Sequence, residues 1–195
     1  MGLTKQAKIL TKHQQSAMLS FLSNTRHPMR NKLVFLLSVR AGLRTKEIAS
    51  ITWGMVTDAQ GDITDCIKLE NSASKGSSGG VIWLNNDLKQ MLVEYKHQRS
   101  NAHSSDRIIK TERGGNTSAQ VIVNMFGVWY SKLGFNGCSS HSGRRTFITT
   151  ASRKISTVGG SIRDVQLLAR HSSLAMTQRY IEADVDAQKK VVQMV

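Results

Sequence analysis

A single proline, Pro28, in 195 residues leaves long helices permitted almost everywhere along this chain. Proline lacks a backbone N–H and its ring collides with the preceding helical turn, so it normally ends or kinks a helix. Here it heads the apolar run "HPMRNKLVFLLSVRAG", where it suits the first helical position, whose N–H has no intrahelical partner to lose. Leu33, Leu36, Leu37 and Arg40 recur at spacings of three and four, which predicts a wide core-directed face, and Gly42 suits the C-terminal cap.

Other helices announce themselves by similar local chemistry. Thr11 followed by Gln14 reads as a capping box opening "LTKHQQSAMLSFL". From Thr45, "TKEIASITW" predicts a helix that turns Ile48, Ile51 and Trp53 inward. "ITDCIKLE" (63–70) and "VIWL" (81–84) are the β-like pieces, and the Ser/Gly connection "NSASKGSSGG" between them predicts a hairpin. Helical patterns return in "DLKQMLVEYKHQ", "TSAQVIVNMFGVWYSKLG" and "HSGRRTFITTASRK". After the break "STVGGS", the stretch "LLARHSSLAMTQRYIEA" predicts two short helices packed through Leu167, Leu168 and Leu174. The last helix, 184–195, carries an apolar stripe of Val185, Val191, Val192 and Val195, suited to docking on its own core or on a neighbouring protomer. The expected class is α+β, mainly α, with a small antiparallel sheet on one side. The length fits one domain over 1–195, with room for two compact subdomains.

Charge narrows the function. Lys and Arg total 27 against 13 Asp and Glu, a net charge of +14 spread along the chain, which is the footprint of a polyanion binder. The longest aliphatic run, "LVFLL" at 33–37, is core-sized, and the N-terminus lacks a signal-peptide pattern. Cys66 and Cys138 have no metal-ligand spacing and read as reduced thiols. The expectation is a soluble cytoplasmic protein that binds nucleic acid and no membrane. No H-E-x-x-H, P-loop or G-x-S-x-G motif occurs, and the acids are scattered, which argues against a two-metal nuclease.

Phosphodiester chemistry without a metal needs guanidinium groups to hold the charge of a pentacoordinate phosphate, a nucleophile, and proton-handling groups. "AGLRTKEI" puts Arg44 at a turn into a helix, where backbone N–H groups also favour phosphate. "HSGRRTF" places His141 and Arg144 one helical turn apart, with Arg145 about 100° round the helix. "ARHSSLAMTQRY" supplies His171 and Tyr180, and Lys75 sits at the tip of the predicted hairpin. Taken alone, Tyr180 reads as a packing aromatic; His171 nine positions earlier (180 − 171 = 9) makes it a candidate nucleophile.

In this order, Arg44, Lys75, His141-x-x-Arg144, His171 and Tyr180 resemble the tyrosine recombinase (phage integrase) family, from about Leu10 to Ile181. The context agrees, with Gly42-Leu43-Arg44, Glu47 and Ile48, Thr146-Phe147, and "HSSLAMTQRY" before the tyrosine. The resemblance implies a helical catalytic domain that cleaves and rejoins DNA through a 3′-phosphotyrosyl link, with neither metal nor ATP and no cofactor. Tyr180 would attack the phosphate, Arg44 and Arg144 would clamp its oxygens, and Lys75 would protonate the departing 5′ oxygen, with Lys68 as the alternative acid. His141 and His171 would hydrogen-bond the phosphate and manage the tyrosine proton, and Glu47 would orient the arginine site. Lys46, Arg145 and Arg170 are candidate DNA contacts. The resemblance also implies a homotetramer on DNA and a catalytic domain without the family's N-terminal DNA clamp.

Two residues depart from the family's pattern. Arg170 stands where the family has glycine, so a helix must end on a residue with a Cβ; Gly143 stands where it has leucine, which is expected to loosen packing. Alternative outcomes of the same scaffold are relaxation of DNA in the manner of a type IB topoisomerase, and non-catalytic DNA binding for regulation.

Overall fold

The computed structural model describes residues 6–74, 79–99, 101–112, 116–181 and 185–193. Among these, the chain runs through α1 (Lys12–Ser23), α2 (Pro28–Arg40), α3 (Thr45–Ser50), β1 (Cys66–Leu69), β2 (Gly80–Trp83), α4 (Asn86–His97), α5 (Ala119–Lys132), α6 (Ser142–Lys154), α7 (Ile162–Ala169), α8 (Leu174–Gln178) and α9 (Val185–Val192). It is mainly helical, with one antiparallel pair, as its sequence predicts. Contacts divide it into two compact units, 1–147 and 148–195, the boundary falling within α6. No helix among the described residues is long and apolar enough to cross a membrane.

The first unit forms around α2. Its sequence predicts one apolar face, but Leu33, Val34, Phe35, Leu36, Leu37, Ser38 and Val39 are all buried, so the helix is sheathed on every side. Burial all round needs no amphipathic stripe, and Arg40 stays exposed at the end of the helix. Pro28 takes the first helical position, and Gly42 follows the end of α2 with φ 63°, a left-handed conformation that glycine adopts freely. A Cβ there would also lie 2.5 Å from the ring of Phe147. Ile48, Ile51 and Trp53 point inward as predicted, and the Thr11–Gln14 capping box forms in both directions. Segment 6–11 is anchored where the Leu10 N–H donates to Thr146 Oγ1 at 2.8 Å.

β1 and β2 pair in register Cys66↔Trp83, Ile67↔Ile82, Lys68↔Val81 and Leu69↔Gly80. Ile67, Leu69 and Ile82 face the core, whereas Lys68, Val81 and Trp83 face out. The connection begins with a 3₁₀ turn at Asn71–Ala73, and Asn71 Oδ1 accepts the Gly79 N–H at 3.0 Å. Lys75 lies outside the described residues.

In the second unit, a 3₁₀ turn (Ile155–Val158) and left-handed Gly159 carry the predicted glycine break. Val165, Ala169 and Thr177 are buried in α7 and α8. The predicted leucine packing does not hold as drawn, because Leu167 is 61% exposed and Leu174 37%. With only eight residues in α7, spacing alone does not select the inward face; Val165 and Ala169, four apart, take it. Of the α9 stripe, Val191 and Val192 are exposed, and Val195 lies outside the described residues.

Candidate functional site

In the first unit, the turn from α2 to α3 gathers two arginines. Arg44 caps α3, and Glu47, one turn later, reaches back to it twice. Its Oε2 accepts the Arg44 N–H at 2.8 Å, and its Oε1 pairs with the Arg44 guanidinium at 2.8 Å. The Glu47 side chain is fully buried and that of Arg44 23% exposed, so the ion pair is shielded on one side and reachable on the other. The Arg44 N–H is thereby committed to Glu47 rather than offered to a phosphate, and α3 is only six residues long.

Arg144 meets the same turn from α6. Its residue exposure is 4%, and NH1 donates to the Gly42 carbonyl at 2.5 Å. A buried cation held by a backbone oxygen keeps its charge and orientation. His141 stands just ahead of α6, not within it; its carbonyl accepts the first helical bond from the Arg145 N–H at 2.9 Å, and its ring is exposed. Ser139 Oγ accepts the His141 N–H at 3.3 Å, fixing this entry. Arg145 turns elsewhere and hydrogen-bonds Gln6. Lys46 Nζ donates to the Ser74 carbonyl at 2.8 Å, immediately before Lys75 in sequence. Lys68 is exposed on β1.

Gly143 does not loosen its surroundings as expected. A Cβ at this position would lie 2.9 Å from Ser38 Cβ and 3.2 Å from its carbonyl carbon, so the missing side chain permits close packing.

The second unit holds His171 and Tyr180. Helix α7 opens with Ser161 and Asp164, whose carboxylate accepts the Ser161 N–H at 2.7 Å and its hydroxyl at 2.8 Å. These two bonds hold the Asp164 carboxyl below the usual aspartate range. The helix closes on Arg170, at φ 51° and ψ 49°. The Arg170 N–H donates to Leu167 O at 2.9 Å and the His171 N–H to Gln166 O at 3.1 Å, the paired bonds of a Schellman ending. The turn that glycine would supply is therefore made, with a Cβ in a left-handed conformation.

That ending places His171 one residue past the left-handed turn, 7% exposed, with Nδ1 and Thr177 Oγ1 sharing a hydrogen bond of 3.0 Å. Gln166 Nε2 donates to the His171 carbonyl at 3.0 Å. The rings of His171 and Tyr180 stack at 5.3 Å between centroids and 27° between planes. Thr149 Oγ1 donates to the Tyr180 carbonyl at 3.0 Å, so the tyrosine is held by its backbone while its side chain is only half-buried. Thr177, Gln166 and Thr149 were not legible as partners, because nothing in a one-dimensional pattern links them to a histidine or tyrosine. Among the described residues, no group of three or more His, Cys, Asp or Glu gathers to hold a metal ion.

The fold has close counterparts among solved structures. It superposes on XerA recombinase with a TM-score of 0.72 and 19% identity, over all of this chain and 65% of that one. The Tn1549 transposon integrase, in complex with circular intermediate DNA, gives 0.73 and 20% over 100% and 68%. A lambda integrase dimer bound to a COC′ core site gives 0.64 and 19% over 91% and 60%. The chain thus spans about two thirds of these proteins' length. No curated protein matches it. The Phage integrase family model matches residues 8–186, which takes in the arginine turn, the His141 entry and the His171–Tyr180 stack alike: the chain belongs to the phage integrase family.

Proposed function

We propose that residues 1–195 form the catalytic domain of a site-specific DNA recombinase that works through a phosphotyrosyl intermediate. The observation that carries this reading is Tyr180, stacked on a buried histidine and anchored through its carbonyl, with its side chain left half-exposed. Tyr180 Oη attacks the scissile phosphorus, a P–O bond to the tyrosine forms, and the bond to the 5′ oxygen breaks. Arg44 and Arg144 neutralise the non-bridging oxygens, His141 and His171 hydrogen-bond the phosphate, and one of the two histidines takes up the phenolic proton. Lys75 protonates the departing 5′ oxygen. The phosphotyrosyl ester keeps the bond energy, so a second strand's 5′-hydroxyl reverses the step without ATP. A phenol has a pKa of about 10, so a cationic setting is what its attack at neutral pH requires.

Double-stranded DNA is the proposed partner, supported by the net charge of +14. Strand exchange between two sites calls for several protomers, and a homotetramer on DNA is the assembly we propose. The lambda integrase neighbour is itself a dimer on its core site.

The test is covalent capture from a random-sequence pool of nicked duplexes, in which a short cleaved strand diffuses away and traps the intermediate. The wild-type chain is expected to give a protein–DNA adduct that survives denaturation, and Tyr180→Phe none. An adduct undiminished in that variant removes Tyr180 as nucleophile. A captured site remade with sulfur at the 5′ bridging position separates the two lysines, because a thiolate leaves without an acid. It should restore cleavage to Lys75→Ala, and restoration in Lys68→Ala instead moves the role to Lys68.

A further inference from the structure

We propose that the contact between Gly143 and Ser38 positions the phosphate-binding arginine, the missing side chain at 143 letting the first turn of α6 lie against α2 at the distance Arg144 needs. This rests on the reading of Arg144 as a phosphate ligand. Ser38 is fully buried on α2, and its hydroxyl has no hydrogen-bond partner. A Cβ at 143 would meet that Oγ first, and rotating the serine would relieve only this contact. The clash with Ser38 Cβ at 2.9 Å remains and its carbonyl carbon is tight at 3.2 Å, so the helix itself would have to withdraw.

Backbone conformation does not explain the glycine, since Gly143 is absent from the residues with positive φ. In a helix, glycine costs about 1 kcal/mol relative to alanine, so helix formation does not favour it either. Close approach does. The next residue, Arg144, donates to Gly42 O at 2.5 Å, and Phe147 lies against Gly42, where a Cβ would come within 2.5 Å of its ring. Three contacts thus fix the first turns of α6 on α2 and the turn after it, and Gly143 sits beside the arginine. Gly127 in α5 is the internal contrast, for a Cβ there would meet nothing within 4 Å.

The test compares adduct formation on the captured nicked duplex by the wild-type chain, Gly143→Ala, Ser38→Gly, the double variant and Gly127→Ala, with DNA binding and melting measured alongside. Displacing a reacting group by a fraction of an ångström to 1 Å costs about 10- to 100-fold in rate. Gly143→Ala is therefore expected to slow adduct formation at least about ten-fold while binding DNA like wild type. Ser38→Gly in the same chain should recover most of the rate, and Gly127→Ala should cleave normally. A Gly143→Ala rate equal to wild type, or a loss that Ser38→Gly does not relieve, overturns the proposal. Should Gly143→Ala melt below the assay temperature, the double variant decides: folded and active it supports the contact, slow or unfolded it overturns it. A wild-type chain that forms no adduct at all instead overturns the proposed function.

Discussion

The turn that carries Arg44 follows α2, whose residues 33–39 are all buried, and is braced by a carboxylate with no exposure. The turn that carries His171 joins helices of eight and five residues and ends the first on a non-glycine in the left-handed region. The first unit thus holds its cations by burial, an ion pair and a backbone carbonyl. The second holds its ring pair by caps and single hydrogen bonds, each worth far less than a buried charge. Groups that stabilise charge must not move when charge appears, which favours the first kind of support. The proposed nucleophile, which would travel towards phosphorus and back, is better served by the second.

The comparison breaks most readily at Glu47. Replacing it with alanine leaves Arg44 partly buried without its partner and is expected to destabilise the chain by about 3 kcal/mol, read by denaturant unfolding. Glu47→Gln keeps an acceptor for the Arg44 N–H and should lose less; equal losses would show that the charge, not the hydrogen bond, braces the turn. Next comes Thr177→Val, which removes the hydroxyl at His171 Nδ1 in a fully buried setting. It should slow adduct formation about ten-fold, in line with a buried polar group losing its partner at about 1–3 kcal/mol, while DNA binding is retained.

Arg170→Gly runs the other way. Relief of the left-handed conformation should raise stability by about 1 kcal/mol, visible as a higher melting temperature. A lower one would show that the contacts of the arginine side chain outweigh the backbone strain.

The smallest effect is a pH dependence at the start of α7. The Asp164 carboxyl is held below its ordinary value by its bonds to Ser161, so the folded state favours its ionised form. That contribution is complete above the unfolded value of about 3.9 and is lost as the pH falls through the lowered folded value. Wild type should melt above Asp164→Asn at pH 6, and the two curves should converge as the pH is taken below 4.

Local chemistry is legible in the sequence itself. The Thr11–Gln14 box, Pro28 at a helix start, Gly42 after a helix end and the hairpin are each decided within a few residues. The short motifs around Arg44, His141 and His171 are local in the same way, and the family they point to is the one whose model matches residues 8–186. What escaped is settled across long separations. That α2 is buried on every side depends on neighbours from distant parts of the chain, and the tight seat of Gly143 depends on Ser38, 105 positions earlier (143 − 38 = 105). The exposure of Leu167 escapes the sequence because an eight-residue helix leaves two faces open to choice until its neighbours are known.

The bond from Thr149 to the Tyr180 carbonyl has a practical consequence. Because the anchor grips the main chain, the phenol of the proposed nucleophile can be exchanged on a fixed mount. Tyrosines carrying ring fluorines, introduced at position 180 alone, would lower the pKa of the proposed nucleophile stepwise without disturbing its seat. The slope of cleavage rate against that constant would then report how much negative charge the oxygen still bears when the bond to phosphorus forms.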